Sequence, residues 1–238
     1  MRILAIDTSI GSGSAAAVDD GGCVERPLGP AGSHARLLTA TLEGLVTERR
    51  WASGAAPLRC LGPADVIAVV RGPGSFTGLR VGVTTAKALA WATGAKLVGV
   101  SGFEVIARRT TRLAGRGDVE LEIAYDAGRG EVFVAAATPA GAGWHVGDPR
   151  LLPADDWLAS LPPGRWISGP ALDQFTDRVA RRADLVVAPA EARHPAAGDA
   201  TAIARIRAEA GMVDKPHGLV PDYLRPSYAE ERNVGRGP

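Results

Sequence analysis

The sequence predicts a duplicated α/β fold, and three observations predict it. Short apolar runs of strand length alternate with longer segments whose apolar residues recur at helical spacing. Residues 1–100 read β-β-β-α-β-α-β, and a second, less regular set of strands and helices follows. In each half two strands meet at a turn of one aspartate and small residues, Asp7-Thr8-Ser9 first and Asp126-Ala127-Gly128 later.

Residues 3–6 make a buried strand that stops at the polar Asp7. Strands 14–18 and 23–26 continue a meander through the turn Asp19-Asp20-Gly21-Gly22. Ser33 is placed to cap a helix through residue 50, with the stripe Leu38, Leu42, Leu45 and Val46 and Leu37 alongside. After a loop rich in Gly, Ala and Pro come strand 66–70 and helix 77–93, closed by Gly94. That helix is apolar around most of its girth, from Leu79, Val81 and Val83 to Leu89 and Trp91, and wants cover on more than one side. Strand 96–100 completes the half. Helix 104–113 then precedes strands 121–125 and 131–137 and a weaker strand at 144–146. Helices 154–161 and 171–182 flank strand 166–168, and strand 185–188 follows. A last helix spans 200–210, and the proline-rich tail carries Pro221-Asp222-Tyr223-Leu224-Arg225-Pro226. The expected organisation is a first lobe over 1–100, a second over 101–199, and a C-terminal helix and tail over 200–238 packing back on the first lobe.

The 238 residues are 46% hydrophobic and 22% charged, an ordinary globular balance with enough length for a sizeable core. A formal net charge of +1 provides no global field toward nucleic acid or an anionic membrane. Cys23 and Cys60 stand apart, which fits two free thiols in a reduced compartment. An acid at Asp7 denies the start a signal-peptide core, and no apolar run approaches ~20 residues. The expectation is a cytoplasmic protein without membrane contact.

Three glycines, Gly72, Gly74 and Gly78, mark the junction of strand 66–70 with helix 77–93. Their spacing is one residue too long for the dinucleotide fingerprint, and no Lys-Ser/Thr pair ends it as in a P-loop. Two readings stand: an anion site at the helix N–H groups, or a tight structural turn. No Lys or Asp completes a phosphate site, so the structural turn is preferred. His34, His145, His194 and His217 share no i, i+3 or i+4 spacing, so no metal site is expected. Ser75, Ser12 and Ser14 fail the Gly-x-Ser-x-Gly template, and no catalytic residue is assigned. Arg108, Arg109, Arg112 and Arg116 give helix 104–113 and its end a basic face, read as solvated rather than as a nucleic-acid contact. Trp51 and Tyr223 are read as packing aromatics rather than stacking platforms.

In order and spacing, Ile3-Leu4-Ala5-Ile6-Asp7-Thr8-Ser9, Ser33-His34-Ala35-Arg36-Leu37-Leu38, Arg71 through Arg80, Asp126 through Phe133 and Tyr223-Leu224-Arg225 resemble the TsaB (YeaZ) family. The resemblance spans nearly the whole chain and is strongest over Gly72-Pro73-Gly74-Ser75-Phe76-Thr77-Gly78-Leu79-Arg80. It implies the two-lobed actin/sugar-kinase/heat-shock ATPase-like fold, a duplicated ribonuclease H-like α/β architecture, with a reduced second lobe. It implies a non-catalytic scaffold subunit, without a cofactor, for threonylcarbamoyl transfer to N6 of adenosine 37 in tRNAs reading ANN codons. The implied partners are TsaD in a heterodimer and TsaE through that pair, with a homodimer when alone and tRNA reached indirectly. A TsaC-type enzyme makes the threonylcarbamoyl-adenylate donor.

TsaD-like chains carry a His-x-x-x-His after the equivalent of strand 96–100, and here those positions fall on Gly102 and Ile106. The superfamily's two phosphate turns fall on Asp7, Thr8 and Ser9 and on Asp126 and Gly128, as a vestigial nucleotide cleft or as inherited hairpin turns. The hairpin reading is preferred because no Gly-Gly-x-x-x-Asn adenosine loop follows Leu185. The resemblance also implies that helices 33–50 and 77–93 supply half of an intermolecular four-helix bundle. The contacts expected there are Leu37, Leu38, Thr41, Leu45, Val83 and Trp91. The rival reading is a small ATP-binding kinase or metallopeptidase-like enzyme on the same lobes.

Overall fold

One wiring diagram is used twice. The computed structural model describes residues 1–225 except Ala31, Ser53 and Asp118, and the expected tail beyond Arg225 lies outside the described residues. Strands β1 (Ile3–Asp7), β2 (Ser14–Asp19), β3 (Gly22–Pro27), β4 (Val66–Gly72) and β5 (Lys96–Ser101) form a sheet ordered β3-β2-β1-β4-β5. Strands β6 (Leu121–Gly128), β7 (Glu131–Ala140), β8 (Gly143–Val146), β10 (Trp166–Ser168) and β11 (Val186–Val187) form a second sheet ordered β11-β10-β6-β7-β8. Strand β9 (Arg150–Pro153) also pairs with β7. In each sheet the first strand runs antiparallel to the next and parallel to a strand reached through a helix.

Alternation along β1 creates the layers, because successive side chains leave opposite faces. Leu4 and Ile6 pack with Leu38, Leu42 and Leu45 of α1 (His34–Glu48) and Val83 and Ala86 of α2 (Phe76–Thr93). Ile3 and Ala5 pack with Ala197, Ala200 and Ala204 of α7 (Ala197–Glu209) and Val105 of α3 (Gly102–Ala114). With helices on both faces, β4 is buried from Val66 to Val70, which is why it is a continuous apolar run. Helix α3 is shared: Phe103, Ile106 and Ala107 join Leu121, Ile123 and Tyr125 of the second sheet. The far face of that sheet rests on Trp157 and Leu158 of α4 (Ala154–Ser160), Leu172 of α5 (Ala171–Gln174) and Val179 of α6 (Thr176–Ala180). These three helices have 7, 4 and 5 residues, against 15 and 18 for α1 and α2. The two-lobed α/β fold with a reduced second lobe is therefore the observed one.

Several elements depart from the sequence expectation. The helix expected over 171–182 breaks at Phe175, whose φ of −104° ends α5 before α6 begins. Ser33 does not cap α1, since its hydroxyl donates to Leu28 O at 3.0 Å and Pro30 O at 2.7 Å. Strand β9 was not anticipated, and α7 starts at Ala197 rather than residue 200. Among the described residues no helix is long and apolar enough to cross a membrane.

The end of β1 meets the start of α2 almost backbone to backbone. Ser75 N donates to Ser9 O at 2.7 Å, and the Thr8 hydroxyl donates to Gly78 O at 2.7 Å. A Cβ on Gly78 would lie 2.1 Å from Thr8 O, and one on Gly82 2.3 Å from Thr8 Oγ1. Gly78→Ala is therefore expected to destabilise the chain by ~1–3 kcal/mol through overpacking, against alanine's better helix propensity. Urea denaturation of the variant beside the parent checks this.

Candidate functional site

Both aspartate turns close on themselves. Asp7 Oδ1 accepts from Ser9 N at 2.9 Å and from the Ser9 hydroxyl at 2.6 Å, and Asp126 Oδ1 accepts from Gly128 N at 2.9 Å. Such a carboxylate bonded two residues on is an Asx turn. The settings of the two differ. Asp126 is exposed, whereas Asp7 is 1% exposed and its Oδ2 has no partner among the described residues. Burial pushes the Asp7 carboxyl above its ordinary range, and the bonds from Ser9 offset part of that. Thr8 and Ser9 are fully buried beneath α2.

Between the lobes lies a cavity of about 860 Å³. Asp126 lines it, while Asp7, Thr8, Ser9 and Gly128 do not. Four aromatic residues line it. Phe76 and Tyr223 have ring centroids 4.9 Å apart, and Phe133 and Tyr125 stand on the second lobe. The Arg80 guanidinium lies 3.9 Å over Phe76, and its Nε donates to Tyr223 Oη at 3.0 Å. Arg225 lies 5.9 Å from the Phe133 ring and donates to Ala127 O and Glu131 Oε2 at 2.7 and 2.6 Å. Both guanidiniums that line the cavity are thus engaged by the protein. Ser75 spends its hydroxyl oxygen on Gly78 N at 3.1 Å, capping α2.

Tyr125 occupies the space that a side chain at 102 would need. A Cβ on Gly102 would lie 2.4 Å from Tyr125 Oη, and the ring is held edge-on to Phe103 with centroids 5.0 Å apart. Ile106 is fully buried. The Tyr125 hydroxyl has no partner among the described residues, and burial, then the charge of nearby Asp7, push the phenol well above its ordinary value. Of the histidines, His34 is buried at the start of α1, and His194 Nε2 lies 2.7 Å from Asp173 Oδ2. Among the described residues no three His, Cys, Asp or Glu side chains gather as metal ligands.

The basic face of α3 is solvated in part, at Arg112 and Arg116, and also carries an internal role. Arg109 Nη1 donates to Asp199 Oδ2 at 2.9 Å, and Arg112 Nε and Nη2 donate to its two oxygens at 2.8 and 3.0 Å. Asp199 on α7 is 4% exposed, and the two arginines compensate this buried carboxylate while the Arg112 side chain stays half exposed. Arg116 remains exposed. Trp51 packs, donating from Nε1 to Asp19 Oδ2 at 2.5 Å.

The expected partner residues separate sharply. Leu38, Leu45 and Val83 lie in the chain's own core and have no surface left for a partner, which corrects their assignment. Leu37 and Thr41 are half-buried, and the Thr41 hydroxyl donates to Leu37 O at 2.9 Å. Trp91 is 83% exposed. It ends a row on α2, Thr77, Val81, Thr84, Ala88 and Trp91, which has heptad spacing and carries no charge. Val81 in this row is half-buried and the other four are exposed. Only Trp91 had been singled out from the sequence. The signal for the others was present as a second, small-residue stripe beside the buried one.

Comparison with known proteins follows the same lines. Residues 61–147, which include β4, α2, β5 and α3, match the family described as TsaD, tRNA N6-adenosine threonylcarbamoyltransferase. The tRNA threonylcarbamoyladenosine biosynthesis protein TsaB of Escherichia coli K12 is 31% identical over 99% of this chain and 100% of its own length. The Bacillus subtilis protein of the same description is 29% identical over 72% of this chain and 75% of its own. Among solved structures, YeaZ from Pseudomonas aeruginosa superposes with a TM-score of 0.77 at 24% identity, covering 94% of this chain and 99% of that one.

Two measurements test the cleft floor. A carboxyl whose folded pKa lies above its unfolded one costs stability as pH rises from about 4 through the raised value. Asp7→Asn removes that loss, so the variant is expected to gain on the parent steadily between pH 4 and pH 8. Urea titrations at the two pH values check the difference. Tyr125→Phe deletes an unpartnered buried hydroxyl and is expected to be neutral or stabilising by up to ~1 kcal/mol in thermal unfolding.

Proposed function

The chain belongs to the TsaB (YeaZ) family, and from that premise we propose that it is the non-catalytic scaffold subunit for threonylcarbamoyl transfer to adenosine in tRNA. The family's place in tRNA threonylcarbamoyladenosine biosynthesis is given by its curated members. In this reading the chain binds and activates a TsaD subunit, and the pair recruits TsaE. Adenosine 37 of tRNAs reading ANN codons is the acceptor, and tRNA is reached through the complex. The same face pairs two copies of the chain when TsaD is absent.

The observation that carries this reading is the uncharged heptad row on α2 ending in the 83% exposed Trp91. A lone exposed indole is ordinary, but an indole closing a row of small residues at coiled-coil spacing suits a second helix packed alongside. The segment that matches TsaD contains α2 itself. A partner built on the same lobe would offer an equivalent helix, and two such helix pairs form a four-helix contact. Burying ~1,200–2,000 Å² in all is the scale for a specific pair. Against chemistry by the chain itself stand the engaged arginines of the cavity, the capped Ser75 and the lack of gathered metal-ligand side chains among the described residues. A kinase reading draws on the interlobe cavity, and calorimetry with Mg·ATP on the isolated chain discriminates it.

Trp91→Glu should abolish co-elution with TsaD, since losing a buried interface Trp can cost ~2 kcal/mol or more and the glutamate adds an unpaired charge. Its melting temperature should match the parent's. In a reconstitution with purified TsaC, TsaD and TsaE, the modified nucleoside should form only when the unaltered chain is added. A Trp91→Glu complex of normal size and activity would overturn the reading.

A further inference from the structure

The chain passes between its lobes at Ser101/Gly102, entering α3, and again at Ala196/Ala197, entering α7. Two bodies joined at two points can still turn about the line between those points, which is the freedom a hinge needs. A third connection lies at the mouth of the cavity. After α7 the chain is laid along the first lobe, with Asp214 N donating to Leu97 O at 2.8 Å and Leu219 buried in the first core. Lys87 Nζ donates to Leu219 O at 2.9 Å, and Asp222 N donates to Arg71 O at 2.7 Å. Tyr223 then stacks on Phe76 of α2. Two residues later the partners change lobe: Leu224 packs against the second-lobe core, and Arg225 bonds Ala127 O and Glu131 Oε2 on the β6–β7 hairpin.

We propose that residues 219–225 form an interlobe strap that sets the angle between the lobes and closes one side of the cavity, with Arg225 fastening it to the second lobe. Tyr223, Leu224 and Arg225 all line that cavity, so lifting the strap enlarges its opening. The strap is fastened to both lobes. On the first lobe it is held by a buried leucine and by hydrogen bonds to backbone groups. On the second it is held by Leu224, by the Arg225 bond to Ala127 O and by the Arg225–Glu131 ion pair, whose side chains are 23% and 33% exposed. Removing either partner of that pair therefore loosens the strap on its second-lobe side. This inference concerns the chain by itself and is independent of which partner α2 meets.

The test uses the full chain with Cys23→Ser and Cys60→Ser, carrying spin labels at Thr47→Cys on α1 and Asp177→Cys on α6, both exposed positions. Double electron–electron resonance on the parent should give one narrow distance distribution. Arg225→Ala and Glu131→Ala should each broaden it and move it to longer distance. The exchange Arg225→Glu with Glu131→Arg should return it toward the parent's. If Arg225→Ala fails to fold, Glu131→Ala decides alone. Distributions for the single variants that superimpose on the parent's would overturn the proposal.

Discussion

The contact on which the rest depends is that of Thr8 and Ser9 with the glycine-rich start of α2. It is made by backbone atoms and one hydroxyl, and three glycine positions leave room for it. Because this junction is filled, α2 has one possible seat on the first sheet. Its inner stripe is spent there, its heptad row is turned outward, and Ser75, Phe76 and Arg80 become one wall of the cavity. The same filling denies the first aspartate turn any open face.

The lobes are joined at the back by a different device. Helix α3 serves two sheets at once, and the carboxylate of Asp199 ties it to α7 through two guanidiniums. A buried charge is tolerable only when its oxygens are satisfied, and both oxygens of Asp199 are. The Ser101–Glu104 capping box starts α3 where the chain first changes lobe, and Glu104 also receives Arg207 of α7 at 2.7 Å. Polar order at the crossing points and an apolar shared helix together fix the line about which the lobes can turn, which leaves the strap to set the angle.

What could be read from the residues, and what could not, divides along physical lines. Strands β1, β4 and β5 were legible because burial on both faces leaves unbroken apolar runs. Helix α2 was legible because Gly94, at φ 72°, ends it in the left-handed conformation. The partner face was misread at Leu38, Leu45 and Val83 for a simple reason: apolar periodicity reports burial without saying in what. The strongest stripe belonged to the chain's own core, and the outward row consists of small residues that periodicity undervalues. The pairing of Arg109 and Arg112 with Asp199 had no local signal at all, since Asp199 lies 87 positions beyond Arg112. Strand β9, four residues ending in proline, exists because β7 offers it an edge.

The Tyr125 ring has a historical implication. With its oxygen where the first atom of a side chain at 102 would sit, an imidazole at that position meets a wall before it meets any metal. Placing histidines at 102 and 106 would require the tyrosine on β6 to shrink first, together with changes at both Gly102 and Ile106. Each of those steps alone opens a void or forces a clash in a packed interior. The packing at this spot thus behaves as a ratchet, barred to single-step reversal.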